Sequence, residues 1–145
     1  MNMIWGVLYL VALATVLVVV LRIGDGESRF AIVVLAIASV MTAVALYLSR
    51  TRFEIFSLSV VSVDLVLLAI YMAQALRSRR YWPMCLPAFQ LINVITHMAK
   101  LAAPEIVPRV YSAGQGFWAY PMLAVILGAA LWNRADQKAR AARGG

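Results

Sequence analysis

The sequence predicts an all-helical integral membrane protein, a bundle of five spans, and three observations lead to this class. The 145-residue chain is 64% hydrophobic and 13% charged, with a mean hydropathy of +0.87, whereas soluble domains carry roughly 45–50% apolar and about 25% charged residues. Apolar runs of the length that crosses a bilayer, about 20 residues, recur along the chain. Arginines and lysines concentrate between and after these runs. A water-soluble globular fold is therefore excluded.

The first three apolar runs carry the clearest signal. They cover residues 3–21, 30–48 and 55–76, and the first two contain no charged residue. Two glycines in the polar segment between the first and second runs favour a tight reversal. The third run is interrupted only by Asp64 and ends at a cluster of arginines. Each run is long enough to form one transmembrane helix.

The last two predicted spans are weaker. Residues 81–101 are long enough to cross but contain prolines and several polar side chains, so we expect this segment to depend on its neighbours for insertion. The alternative is four spans, with this segment re-entrant or lying at the membrane interface. A longer connection, residues 102–116, leads to the last run, residues 117–132. Residues 1–132 then form one transmembrane bundle, and residues 133–145 form a basic cytoplasmic tail.

Charge predicts the orientation of the bundle. With five spans, one side carries nine Lys and Arg residues and the other four, and positive residues near span ends stay in the cytoplasm. We therefore expect the N-terminus outside and the C-terminus in the cytoplasm. The overall pattern resembles that of small bacterial inner-membrane proteins. Asp136 lies four residues before Arg140, a spacing that supports a helix in the tail.

The same positive charge predicts the lipid partner. The sequence pI is about 10.2, but the positive residues flank spans and form no soluble face, so we expect contacts with anionic lipid headgroups and not with nucleic acid. The expected lipid contacts are Arg77, Arg79, Arg80, Arg134, Lys138, Arg140 and Arg143.

Five polar residues are expected at or near membrane depth. Asp64 lies nine residues into the third run, close to its middle, where ionisable groups are costly and tend to face the interior of a bundle. In the fourth segment, spacings of three, four and three place Gln90, Asn93, His97 and Lys100 on one helical face. In an antiparallel pair we expect Asp64 to contact Gln90 or Asn93, with His97 about one turn nearer the outer surface. The cluster is either hydrogen-bonding glue between helices or a polar pathway through Lys100 and His97 to Asp64.

The sequence predicts no enzyme. It contains no catalytic set, no phosphate-binding glycine loop and no metal-ligand cluster, and no cofactor is required. His97 is the only histidine, so the chain alone offers a single nitrogen ligand to a haem or a magnesium chlorin.

Three functions follow from these expectations. The leading one is a non-enzymatic accessory or structural subunit that packs against other membrane subunits or against copies of itself. The alternative is a homo-oligomeric channel or proton-conducting protein that uses Asp64 and the polar stripe of the fourth helix. The third is a pigment- or haem-binding subunit with His97 as ligand.

Overall fold

The computed structural model describes residues 3–48, 53–102 and 117–143, and in these ranges the regular structure is entirely helical. The predicted all-helical class is confirmed for this part of the chain. The elements are α1 (Met3–Ile23), α2 (Gly26–Leu48), α3 (Phe53–Arg77), a short 3-10 helix (Trp82–Met84), α4 (Cys85–Ala102) and α5 (Ala119–Arg143).

The reversal between α1 and α2 is shorter than the sequence predicts, because α2 begins at Gly26 and not at residue 30. The Gly24 amide donates to the Val20 carbonyl at 2.7 Å, and a Cβ at Gly24 would lie 2.5 Å from that oxygen, so no side chain fits there. Asp25 caps α2, since its Oδ1 accepts from the Ser28 amide at 3.4 Å and from the Ser28 hydroxyl at 2.5 Å. This cap extends the helix into the polar segment.

The five helices form a ring in which each helix packs against the next and α5 closes against α1. A further contact between α2 and α5 crosses the ring. The largest core side chains have at most 2% of their surface exposed, and they come from all five helices: Val20, Ile32, Tyr71, Leu86 and Met122. The outer surface is also largely apolar, as a lipid environment requires.

Three of the helices are long and apolar enough to cross a membrane. These segments are Gly6–Ile23 in α1, Gly26–Ala45 in α2 and Val60–Arg77 in α3. They agree with the first three predicted spans. The described residues of α4 and α5 do not form a stretch that is long and apolar enough to cross a membrane by length and composition alone. Five spans are therefore not shown.

Prolines set the start of α4. The predicted span begins at residue 81, but the helix begins at Cys85, after a 3-10 turn that contains Pro83. Pro87 lies in the first turn of α4, where its missing amide hydrogen removes no helical hydrogen bond.

The last helix continues through the predicted boundary between the last span and the tail. α5 runs without a break from Ala119 to Arg143. Arg140 and Asp136 form the expected i,i+4 ion pair at 2.8 Å, which confirms the helical continuation. The connection expected over residues 102–116 lies, beyond Ala102, outside the described residues.

Candidate functional site

Asp64 lies at the contact between α3 and α4, with 7% of its surface exposed. Gln90 donates from Nε2 to Asp64 Oδ1 at 3.0 Å and to the Asp64 carbonyl at 3.2 Å. Asn93 donates from Nδ2 to the same Oδ1 at 3.1 Å. The sequence predicted contact with one of these two amides, and the structure contains both.

His97 is closer to Asp64 than its position along α4 suggests. Its Nε2 lies 3.1 Å from Asp64 Oδ2, and both side chains are buried. The sequence placed His97 one turn away towards the outer surface. Because side chains of a helix lean towards its N-terminus, the imidazole reaches back along α4 to the level of the carboxyl group.

The two oxygens of Asp64 are used differently. Oδ1 accepts both amide hydrogen bonds. Oδ2 is buried and accepts no well-aligned hydrogen bond within the described ranges, although the imidazole is at ion-pair distance. Asn93 Oδ1 is likewise buried without a hydrogen-bond donor from this part of the chain. The cluster therefore keeps two acceptor oxygens for which the described residues provide no aligned donor.

The structure brings four of the five predicted cluster residues together. Lys100 belongs to α4, but its side chain lies outside the described residues. The interior beyond the cluster, towards the start of α4, is apolar. Leu67 and Leu86 are buried there, and Tyr71 donates its hydroxyl to the Ala31 carbonyl at 3.0 Å.

A second polar network, which the sequence did not predict, joins three segments at the opposite end of the bundle. Arg80 donates to Asp25 Oδ2 at 2.5 Å and to Asn133 Oδ1 at 3.4 Å. These contacts tie the α1–α2 turn, the segment after α3 and helix α5 to one another. The Arg80 side chain, 43% exposed, makes these contacts within the chain, and its expected contact with lipid headgroups stays a prediction. The other six predicted lipid-binding residues are exposed.

Two further side-chain bonds fasten the end of α3 to the start of α2. Gln74 donates from Nε2 to the Glu27 carbonyl at 3.0 Å, and Ser78 donates to Glu27 Oε2 at 2.9 Å. In the sequence, Gln74 and Ser78 are polar residues near a span end and give no sign of this role. The role is visible only from their contacts with Glu27, which is distant in sequence.

The site offers little to a metal or a macrocycle. Across residues 3–48, 53–102 and 117–143, no group of three His, Cys, Asp or Glu side chains is placed to hold a metal ion. His97 Nε2 faces Asp64 inside the α3–α4 contact, so ligation of a haem iron or a chlorin magnesium through this nitrogen would displace it from the carboxyl group.

The fold and the site define a small helical protein with three helices long and apolar enough to cross a membrane and a buried polar cluster between α3 and α4. No protein-family model matches the chain, and no curated protein and no solved structure is significantly similar to it. Arguments about its function therefore rest on the site itself.

Proposed function

We propose that this chain is a non-enzymatic, multi-pass membrane protein of five spans that serves as an accessory or structural subunit. One observation carries the proposal: the polar stripe of α4 is turned inwards and bound by α3 of the same chain. The outer surface of the bundle is apolar at membrane depth, which suits contact with lipid or with apolar helices of other subunits.

The two faces of α4 support its assignment as the fourth span. Leu91, Ile95 and Met98 point outwards and are exposed, whereas Gln90 and His97 are buried. Mean composition counts both faces equally, yet only the outer face meets lipid. A helix with this division can cross a membrane when a neighbour covers its polar side, as α3 does here.

The Arg80 network supports an odd number of crossings. Arg80 brings Asp25 and Asn133 to one end of the bundle. If each helix reverses direction, the α1–α2 turn, the connection after α3 and the residues that follow the fifth span lie on one side. Asn133 directly follows the predicted fifth span, residues 117–132.

The proposed orientation follows from the charge at that end. Arg77 and Arg79 lie near the end of α3, and the exposed basic residues of α5 follow Asn133. The proposed location is the bacterial inner membrane, with the C-terminus in the cytoplasm and anionic headgroups next to these side chains.

The alternative functions have less support from the geometry. A conduction path through one chain would have to pass the apolar layer of Leu67, Tyr71 and Leu86, and the Tyr71 hydroxyl is already bonded to Ala31. Cofactor ligation through His97 Nε2 would have to break its contact with Asp64. The accessory role requires neither change.

The mass and subunit composition of the complex after gentle extraction from its native membrane test the proposal. We expect other membrane proteins at fixed stoichiometry. Two variants at exposed positions test whether the outer face of α4 contacts partners. We expect Ile95→Asn, on the exposed face of α4, to weaken the recovery of partner proteins. Leu131→Ala, at an exposed position of α5, is the control. A pure homo-oligomer would contradict the accessory role and favour a self-assembling channel.

A further inference from the structure

Asp64 and His97 meet through one oxygen only. Gln90 and Asn93 both donate to Oδ1, so that oxygen already accepts two N–H groups. Oδ2 lies 3.1 Å from His97 Nε2 and accepts no well-aligned hydrogen bond within the described part of the chain. A proton shared between the carboxyl group and the imidazole therefore lies between Oδ2 and Nε2.

Within the described residues, no further charged side chain is in ion-pair contact with the Asp64–His97 pair. The other described ionisable side chains of the helices around the site are Glu27 and Arg29 on α2, Tyr71 and Arg77 on α3, Cys85 on α4, and Tyr120, Arg134, Asp136, Lys138, Arg140 and Arg143 on α5. Glu27 and the α5 residues that follow Asn133 belong to the opposite end of the bundle, Tyr71 is bonded to Ala31, and Tyr120 packs edge-on against Tyr9. The side chains of Glu54 and Lys100 lie outside the described residues.

Asp64 is the one buried carboxyl group among the described residues, and His97 is the only histidine of the chain. A net charge at this depth is strongly unfavourable, whereas a neutral pair is tolerated when its hydrogen bonds are made. The pair is neutral with one proton, either as imidazolium and carboxylate or as imidazole and carboxylic acid. With no proton or with two, it carries one net charge.

We propose that Asp64 and His97 form a proton-binding site that holds one proton, taken from water, between Oδ2 and Nε2. Gln90 and Asn93 are positioning residues, since they hold Oδ1 and direct Oδ2 towards the imidazole. The site is independent of the accessory role, because it requires only the contact between α3 and α4 within one chain.

The single histidine makes the proton directly measurable. Labelling with ¹⁵N-histidine marks one imidazole, and labelling with ¹³C-aspartate marks three carboxyl groups, of which Asp64 is identified by its loss in Asp64→Asn. Nuclear magnetic resonance of the full chain in lipid nanodiscs at neutral pH then reports the protonation of both imidazole nitrogens and of the carboxyl group. A neutral imidazole always carries one of these protons. We expect the sum of the protons beyond that one to be one in the native chain.

A variant provides an independent second measurement. Gln in place of His97 has a similar reach and can donate a hydrogen bond, but its amide cannot carry the additional proton. In His97→Gln we expect the Asp64 carboxyl itself to be protonated at neutral pH. In Asn93→Leu, Gln90 still holds Oδ1, so we expect the sum to remain one. A sum of zero or two in the native chain, or an ionised carboxyl in His97→Gln, would overturn the proposal.

Discussion

Asp64 is the residue on which the α3–α4 contact depends most, and two substitutions separate its charge from its hydrogen bonds. Asp64→Leu leaves the donors of Gln90 and Asn93 without their acceptor inside the bundle, and removing one partner of a buried polar pair costs about 3–5 kcal/mol. Asp64→Asn retains one acceptor oxygen, so we expect a smaller loss of about 1–3 kcal/mol. Reversible unfolding in mixed micelles measures both values.

Leu65→Ala provides the control for this comparison. Leu65 is the next residue of α3, but it faces outwards and is 48% exposed, so lipid replaces the lost contact and the free energy of unfolding should change little. Equal losses for Asp64→Leu and Asp64→Asn would contradict this prediction, because the acceptor oxygen that Asn retains would then add nothing to stability.

Asp25 has two roles, which can be ranked by their typical contributions to the free energy of unfolding. It caps α2 through the Ser28 amide, and it pairs with the partly exposed Arg80. An N-cap contributes about 0.5–2 kcal/mol, whereas exposed ion pairs typically contribute about 0–1 kcal/mol. Because Asn caps helices as well as Asp, Asp25→Asn should cost clearly less than Asp25→Ala in the free energy of unfolding.

Salt concentration separates these two roles further. Screening weakens an exposed ion pair but leaves a cap nearly unchanged. The difference between the native chain and Asp25→Asn should therefore shrink at high salt, and the difference between Asp25→Asn and Asp25→Ala should persist. If Asp25→Asn costs as much as Asp25→Ala, the ion pair dominates and this ranking is wrong.

At the scale of helices, the sequence predicted α4 better than it predicted the contacts at the helix ends. The spacing of Gln90, Asn93 and His97 is a local, periodic signal, and one residue in a facing span, Asp64, was enough to indicate the partner helix. The depth of His97 was misjudged because helical spacing locates the backbone and not the reach of an imidazole.

The Arg80 network could not be predicted in this way. Arg80 and Asp25 are 55 residues apart, and each lies in a connection with other charged residues, for which water is an equally good partner. Only the packing of the ring brings them together. The extra helical turn at the start of α2 has a similar origin, because the Asp25 cap forms among residues that read as a polar loop.

Tyr71 tests how strongly α2 and α3 are joined. Its buried hydroxyl donates to the Ala31 carbonyl, which also accepts the ordinary bond of its own helix. Tyr71→Phe therefore leaves no carbonyl unpaired, and we expect a loss near 1 kcal/mol, as for other hydrogen bonds between membrane helices. Tyr81→Phe, at an exposed position, is the matched control for thermal unfolding. A loss as small as that of the control would show that the bond adds nothing to packing.

At the scale of the molecule, composition was sufficient to predict a helical membrane protein, because 64% hydrophobic residues cannot be covered in a soluble chain of this size. Composition did not decide the number of crossings. The fourth segment mixes a polar face with an apolar one, and only the contact between α3 and α4 shows which face is covered. The two arrangements differ in topology. With five spans, the residues before and after α4 lie on opposite sides of the membrane, and with four spans they lie on the same side.

Two engineered cysteines, each in a Cys85→Ser background, decide between these topologies. Tyr81 precedes α4, and Ser112 lies in the connection between α4 and α5. If α4 crosses the membrane, a membrane-impermeant maleimide should label Tyr81→Cys only from the cytoplasmic side and Ser112→Cys only from the opposite side. If α4 is re-entrant, both cysteines should react from the same side. Each cysteine is compared in intact and in permeabilised cells, so that failure to react is separated from protection by the membrane.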